Sequence, residues 1–285
     1  MKVLLVDDDA NHVDMVIDRM RQERRGIEVR YVANPAEARQ ALDSSEYDVA
    51  VVDLLYRELK EQYRSRIAAG DVSLTGDSTF LVSGLQTLAD VKERGRRPGA
   101  VARRPGVVVW TSMEDNRALH VRYAYQELAV RVYCAKAARS PSRQSAVGNL
   151  LIAIDAAEQG SSHDDSLTKP FLPDGGPTVG EVFFASAIGR GVWRALALGF
   201  KGEKAVAGQL GIDYRIANEV TQLRGQLSAL DPGVGSEGAH LATLVAYAQA
   251  NWEFFLDDTV MRQYPPTGYQ RERNGVRRRV RKPGR

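Results

Sequence analysis

YDVAVVDLL, residues 47–55, is a largely apolar run, rich in Val, Ala and Leu, that carries the carboxylate of Asp53 near its end. A run of this length and composition predicts a strand that is buried on both faces of a parallel sheet. An aspartate at the end of such a strand lies at the carboxyl edge of the sheet, where open α/β folds bind their ligands. The stretch therefore predicts both a fold class and a candidate site.

A second predicted strand, Lys2 to Val6, ends in the three acids Asp7, Asp8 and Asp9. Carboxylates that two strands deliver to one edge repel each other unless a cation lies between them. Mg²⁺ binds proteins through a few carboxylates and keeps several waters. The two strand ends therefore predict a Mg²⁺ site, with Asp53 as the group that does the chemistry.

The order of the elements predicts a doubly wound, five-stranded parallel sheet in an α/β domain over residues 1–160, because short joins connect alternating strand and helix patterns. A polar stretch, residues 56–80, interrupts this alternation and is interpreted as an insertion in which only residues 56–69 have helical character. The fourth predicted strand delivers Thr111 to the sheet edge, and the fifth ends in Lys136. The predicted strands cover residues 2–6, 27–32, 47–55, 107–110 and 131–135.

The composition, 44% hydrophobic and 26% charged, is that of a soluble globular protein, and no apolar run approaches the ~20 residues of a membrane span. The single cysteine, Cys134, excludes an internal disulfide and favours a reducing cytoplasm. Basic residues concentrate in residues 261–285, where nine Arg or Lys face one acid, Glu272. Such a tail either binds nucleic acid or only improves solubility, and the sequence leaves both open.

Residues 1 to about 160 resemble the receiver domain of response regulators. The resemblance depends on four motifs in order: Asp7-Asp8 after the first strand, Asp53 after the third, Thr111-Ser112 after the fourth and Lys136 after the fifth.

The receiver resemblance implies a set of roles. Asp7 and Asp8 would hold Mg²⁺, which would also contact Asp53 and the backbone carbonyl of Leu55. Asp53 would accept a phosphoryl group from a histidine kinase. Thr111 would hydrogen-bond the phosphoryl oxygens, Lys136 would pair with them, and Tyr133 occupies the family's aromatic switch position.

Two positions depart from the receiver pattern. The glycine that normally follows the phosphorylated Asp by about eight residues is displaced to Gly84, beyond the insertion at 56–80. The proline that usually follows the lysine is replaced by Ala137. The insertion could cover Asp53 and limit access for a kinase, or it could form part of a dimer surface.

The second half of the chain is predicted to be all helical over residues 178–257, after a Ser-, Asp-, Pro- and Gly-rich linker at 161–177 and before a basic tail at 258–285. One helix is expected over 181–200 and a short one over 203–210. After a tight turn, Tyr214 to Leu227 carries an apolar stripe at helical spacing. This order predicts a helix-turn-helix domain. The polar face of its last helix offers Tyr214, Arg215, Asn218, Gln222 and Arg224.

The stretch from Gly191 to Leu227 resembles the LuxR-type output domain, in which the helix after the turn enters the major groove of DNA. The two resemblances together imply a cytoplasmic two-component response regulator that is no enzyme and has no membrane segment. Its implied partners are a histidine kinase, promoter DNA and a second copy, since one recognition helix contacts too few base pairs for a specific site. Two alternatives stay open: a receiver that is not regulated by phosphorylation, and a receiver joined to a degenerate helical module that binds protein.

Overall fold

The computed structural model describes residues 1–70, 83–94, 104–112, 118–136, 146–173, 175–211, 216–230 and 241–265, and the chain divides into two compact units. The first unit comprises Met1–Glu61 and Leu81–Asp174, and the second comprises Gln62–Phe80 and Gly175–Arg285. Among the described residues, none of the helices combines the length and the apolar character that crossing a bilayer requires.

The first unit contains a five-stranded, all-parallel sheet in the order β2-β1-β3-β4-β5, which confirms the predicted fold class. The register pairs Val6 with Val52, Val52 with Val109, and Thr111 with Ala135. The carboxyl ends of four strands therefore meet at one edge of the sheet. The strands are β1 (Lys2–Val6), β2 (Glu28–Val32), β3 (Val49–Val52), β4 (Gly106–Thr111) and β5 (Tyr133–Ala135).

Helices cover both faces of this sheet. Alternate strand residues, including Val3, Val51 and Trp110, form one hydrophobic cluster with the apolar faces of the first and last helices of the unit. The residues of the other face, such as Leu4 and Val52, are fully buried as well. These helices are α1 (Ala10–Glu23), α2 (Pro35–Ser44), α4 (Leu85–Arg94), α5 (Ala118–Gln126) and α6 (Ala146–Glu158). A further helix, α3 (Arg57–Ala68), begins in the first unit and extends past Glu61 into residues of the second.

Within the polar stretch at 56–80, α3 ends at Ala68, inside the range 56–69 that has helical character in the sequence. Residues 71–82 lie outside the described part of the chain. The chain returns to the sheet at Gly84, whose N–H donates to the Leu54 carbonyl at 3.3 Å. A Cβ atom on Gly84 would lie 2.0 Å from the backbone oxygen of Asp53 and 2.5 Å from a methyl carbon of Val52. This close approach is the physical reason for a glycine at this position.

Residues 161–173, which the sequence places in the linker, belong to the first unit, and two of them, His163 and Asp165, bond to β5. The Tyr133 N–H donates to the His163 carbonyl at 2.8 Å, and the Ala135 N–H donates to the Asp165 carboxylate at 2.6 Å. The same carboxylate accepts the N–H groups of Leu167 and Thr168. A segment with linker composition is thus ordered by one aspartate that accepts three backbone hydrogen bonds.

The second unit is helical in its described residues, as predicted, but several helix bounds differ from the prediction. The helix expected over 214–227 runs from Ala217 to Leu230. The single helix expected over 181–200 is two helices, because the Ser186 side chain accepts the Gly189 N–H and starts a new helix. Helix formation also continues past 257: Asp257 caps a last helix whose Val260 is fully buried. The helices are α7 (Val179–Phe183), α8 (Ala187–Ala197), α9 (Glu203–Leu210), α10 (Ala217–Leu230), α11 (Leu241–Ala250), α12 (Trp252–Phe255) and α13 (Asp258–Gln263).

Aromatic side chains form the core of the second unit. The Trp193 ring stacks on Phe255, with 4.9 Å between the ring centroids and 4° between the planes. Phe183 meets the same two rings edge-on, at centroid distances of 5.2 and 5.3 Å. Packing of this kind holds α7, α8 and α12 together around large buried rings.

We expect the substitution Gly84→Ala to lower the free energy of unfolding by about 1–3 kcal/mol, because the added methyl group would push into the Asp53 backbone. Urea denaturation measures the change. A matched control is Gly208→Ala in α9, where no heavy atom lies within 4 Å of the added carbon. The control should be neutral or gain about 0.5–1 kcal/mol from its helix interior. A Gly84→Ala protein as stable as wild type would contradict the close approach.

Candidate functional site

Four predicted side chains converge at the carboxyl edge of the sheet. The Lys136 ammonium lies 2.6 Å from Oδ2 of Asp7 and 2.6 Å from Oδ2 of Asp53. The Thr111 hydroxyl donates to Oδ1 of Asp53 at 2.8 Å. One lysine therefore bridges two carboxylates, and one of these carboxylates also accepts a hydroxyl hydrogen bond.

Backbone hydrogen bonds fix these side chains at the strand ends. The Asp53 N–H donates to the Val6 carbonyl at 2.9 Å, and the Asp7 N–H donates to the Val32 carbonyl at 3.2 Å. The Lys136 N–H donates to the carbonyl of Thr111 at 3.0 Å. Each bond extends the strand ladder to the functional residue, so the site inherits the rigidity of the sheet.

Asp7, Asp8 and Asp53 form a group whose carboxylate oxygens lie within 4.8 Å of one another. Asp7 and Asp53 are buried, whereas Asp8 is half-buried. Hard oxygen donors in this number suit Mg²⁺, so the donor set fits the predicted metal. The Leu55 N–H donates to Oδ1 of Asp53 at 3.4 Å, which places its backbone beside the cluster, and metal binding by its carbonyl stays a prediction.

Burial raises the pKa of Asp7 above its ordinary value, since desolvation disfavours the carboxylate. Lys136 opposes this effect, and the nearby charge of Asp53 adds to it. Tyr56, which follows the strand and is fully buried, has its pKa raised by burial and by the charge of Asp53. The site is therefore poor in water, and its charges interact strongly.

Two aromatic residues outside the predicted donor set, Trp110 and His12, lie beside the site. The Trp110 ring, buried on β4, has the Lys136 ammonium 5.2 Å from its centroid. The His12 ring stacks on Trp110 with 5.3 Å between the centroids and 22° between the planes. The signal for Trp110 in the sequence is weak, because a tryptophan before Thr111 in an apolar strand predicts core packing.

Tyr133, the predicted switch residue, is fully buried. Its hydroxyl donates to the Val121 carbonyl of α5 at 3.5 Å, and its ring lies 6.4 Å from that of Tyr125. Burial raises the pKa of Tyr133 well above the ordinary value, so the phenol stays neutral. The side chain thus links β5 to α5 from the inside, and its role as a switch stays a prediction.

The predicted DNA-binding residues fall on α10 or just before it. Asn218 and Gln222 are exposed and Arg224 is half-buried, whereas Tyr214 and Arg215 lie outside the described residues. The opposite face of α10 buries the apolar stripe Val220, Leu223 and Leu227.

Glu219, an acid that would repel phosphates on the outer face of α10, is half-buried. Its carboxylate lies against Gly189 of α8, where an oxygen is 2.9 Å from the position of a Cβ. The acid therefore packs between two helices of the second unit.

The stability of the protein should depend on pH through Asp7. Because the folded state raises its pKa, the stabilising contribution of Asp7 falls as the pH rises from about 4 through the folded value. Asparagine cannot ionise. In EDTA, the free energy of unfolding of Asp7→Asn should therefore exceed that of wild type increasingly with pH, by at most about 1.4 kcal/mol per pH unit.

Urea denaturation at a series of pH values measures this difference, and Asp18→Asn, an exposed acid on α1, is the control. Below about pH 4 the difference between Asp7→Asn and wild type should stop changing with pH, because Asp7 is then protonated in both states. A difference that does not change with pH would contradict the raised pKa.

No protein-family model and no curated protein sequence matches this chain. Solved structures do. The chain is similar to RcsB from Salmonella enterica serovar Typhimurium bound to promoter P1flhDC in the presence of phosphomimetic BeF₃⁻. The identity is 16%, the match covers 88% of this chain and 98% of that one, and the TM-score is 0.51.

Two further structures match with lower scores. A LuxR-family two-component response regulator from Aurantimonas matches at 17% identity, over 60% of this chain and 94% of its own, with a TM-score of 0.39. TrrA from Thermotoga maritima, in complex with Mg²⁺ and BeF, matches at 16% identity, over 48% of this chain and 88% of its own, with a TM-score of 0.32. Of these three scores only that of RcsB exceeds one half, and it shows that the chain shares the fold of RcsB, with an α/β unit followed in sequence by a helical unit.

Proposed function

We propose that this protein is a two-component response regulator in which Asp53 accepts a phosphoryl group from a histidine kinase and the helical unit binds promoter DNA. One observation carries the proposal. Lys136 and Thr111 contact opposite oxygens of the Asp53 carboxylate, beside an acidic group suited to Mg²⁺. A lysine, a hydroxyl and a divalent ion around one carboxylate form the donor set that phosphoryl transfer requires.

The reaction follows from these contacts. An Asp53 oxygen attacks the phosphorus of a phosphohistidine, an O–P bond forms, and the P–N bond to the donor imidazole breaks. The Lys136 ammonium, now held between Asp7 and Asp53, neutralises charge on the transferred group. The Thr111 hydroxyl exchanges its present Asp53 partner for a phosphoryl oxygen. Bound Mg²⁺ would add charge neutralisation and orient the phosphoryl group, with Asp7, Asp8 and Asp53 as its protein ligands.

Acylphosphate formation thereby changes the partners of Thr111 and Lys136. Thr111 is the last residue of β4, and Lys136 directly follows β5. Tyr133 lies three residues before Lys136 and contacts α5. We expect the change at Asp53 to reach α5 along this route, as a local change in charge with a wider conformational effect.

The DNA-binding part of the proposal is supported by the exposed amides of α10. Asn218 and Gln222 can pair with base edges, and the buried stripe fixes α10 on its neighbours. RcsB, whose fold the chain shares, was solved on promoter DNA with a phosphomimetic. Specific recognition by one such helix needs a second half-site, so the active form is a homodimer. We place the protein in the cytoplasm. Apart from the phosphodonor of Asp53, it acts on no substrate in this proposal.

A second candidate is a receiver that is not regulated by phosphorylation. The observation that favours it is the burial of Asp53, whose side chain is 3% exposed. In this case Lys136 would serve as a permanent counter-ion that stabilises the fold.

The substitution Asp53→Asn should abolish phosphoryl uptake, because an amide oxygen is a poor nucleophile. Phos-tag gels after incubation with acetyl phosphate and Mg²⁺ measure uptake, and Asp18→Asn is a control that should shift like wild type. A shifted band with Asp53→Asn would show that another residue is the acceptor. An unshifted wild-type band would favour the second candidate.

We expect Asn218→Ala combined with Gln222→Ala to weaken binding to promoter fragments by about 10- to 100-fold at matched salt, through loss of contacts to bases. Gln249→Ala on α11 is an amide control and should bind like wild type. Removal of residues 266–285, which leaves α13 intact, should weaken binding and reduce its salt dependence without abolishing it. If the truncated protein loses all binding and the double variant loses none, the helical unit is a protein-binding module.

A further inference from the structure

Trp110 has two contacts that the proposed reaction does not explain. The indole is buried on β4, its centroid is 5.2 Å from the Lys136 ammonium, and it stacks on His12. Thr111, the next residue, points to the other face of the sheet because strand side chains alternate. The Lys136 ammonium thus has two kinds of partner, the Asp53 carboxylate and the Trp110 indole.

The chemistry of this contact differs from that of an ion pair. An ammonium over an indole is attracted by the negative face of the ring, and the attraction increases when water is excluded. The Lys136 side chain is 13% exposed, so its charge is largely desolvated. A carboxylate that binds Mg²⁺ is less available to Lys136, whereas the indole does not bind Mg²⁺. The indole also keeps its charge distribution when a phosphoryl group is transferred to Asp53.

The partners of Lys136 in the structure are the two carboxylates that the proposed reaction uses. Asp7 is a proposed metal ligand and Asp53 is the proposed acceptor, and Lys136 contacts Oδ2 of both. When a divalent ion binds these oxygens and a phosphoryl group is bonded to Asp53, the ion pairs of Lys136 with Asp7 and Asp53 are weakened. A flexible four-carbon stem then needs another contact to keep the ammonium at the site.

We infer that Trp110 is a positioning residue, which keeps the Lys136 ammonium directed at the phosphoryl group once metal and phosphoryl occupy its two carboxylates. His12 orients the indole through the ring stack. The backbone N–H of His12 donates to the carboxylate of the cap residue Asp9 at 3.1 Å, which places the stacked residue in the first turn of α1. This inference rests on the proposed phosphoryl transfer to Asp53.

The first test separates positioning of the lysine from metal binding and from stability. Titration calorimetry measures the affinity for Mg²⁺ alone and for BeF₃⁻ at saturating Mg²⁺. We expect Trp110→Leu to weaken BeF₃⁻ binding by about five- to thirty-fold and Trp110→Phe to weaken it less, while affinity for Mg²⁺ alone is unchanged or higher. Leu150→Ala, which shortens a side chain in the same hydrophobic cluster, controls for stability and should bind BeF₃⁻ like wild type.

Equal BeF₃⁻ affinities for wild type and Trp110→Leu would overturn the inference and leave the proposed function intact. The inference would also be overturned if Leu150→Ala lost as much affinity as Trp110→Leu, since the effect would then follow from stability. If wild type itself binds no BeF₃⁻, the proposed function fails.

A second test needs neither metal nor phosphodonor. The chain has three tryptophans, so Trp193→Phe with Trp252→Phe leaves Trp110 as the single emitter. In EDTA, adding Lys136→Met to this background should shift the emission of Trp110 or change its lifetime, because the charge over the ring is removed. Lys169→Met, at an exposed lysine of the same unit, is the control and should change neither. If both substitutions give the same spectra and lifetimes, Lys136 does not contact the indole in solution and the inference is overturned.

Discussion

The ammonium group of Lys136 lies between the buried carboxylates of Asp7 and Asp53, and the rest of the site depends on this arrangement. Two carboxylates at one dry sheet edge repel each other, and burial already disfavours the charge of Asp7. Removal of Lys136 would cost about 3–5 kcal/mol, because the two buried carboxylates would then lack a counter-charge. Lys136 thus stabilises the fold. Binding of a divalent ion or transfer of a phosphoryl group would change its contacts with Asp7 and Asp53.

Most of this arrangement could be predicted from the sequence, because it follows from a regular structure. Short apolar strands joined by helices predict a parallel sheet, and in such a sheet all strands end at one edge. Asp7, Asp53, Thr111 and Lys136 each stand where a predicted strand ends, so their convergence needed no information about side chains. Gly84 could also be identified, as the glycine of the receiver pattern displaced beyond the insertion, but the close approach that requires it appears only in the structure.

Other features depend on contacts that strand and helix patterns do not encode. Trp110 occupies an apolar strand, so its sequence context indicates core packing and gives no sign of the ammonium near its ring. Ser186 starts a new helix inside an apolar run, where side-chain capping overrides the periodicity. Asp165 orders a segment of linker composition by accepting three backbone hydrogen bonds, a long-range effect that composition cannot reveal.

The most direct test of the account is a crystal structure of the full chain with Mg²⁺ and BeF₃⁻. The account predicts beryllium on an Asp53 oxygen and Mg²⁺ coordinated by Asp7, Asp8 and Asp53. It also predicts that the Lys136 ammonium and the Thr111 hydroxyl lie within hydrogen-bond distance of the fluorines. BeF₃⁻ bound elsewhere, or a Lys136 side chain turned away from Asp53 in the loaded site, would contradict it.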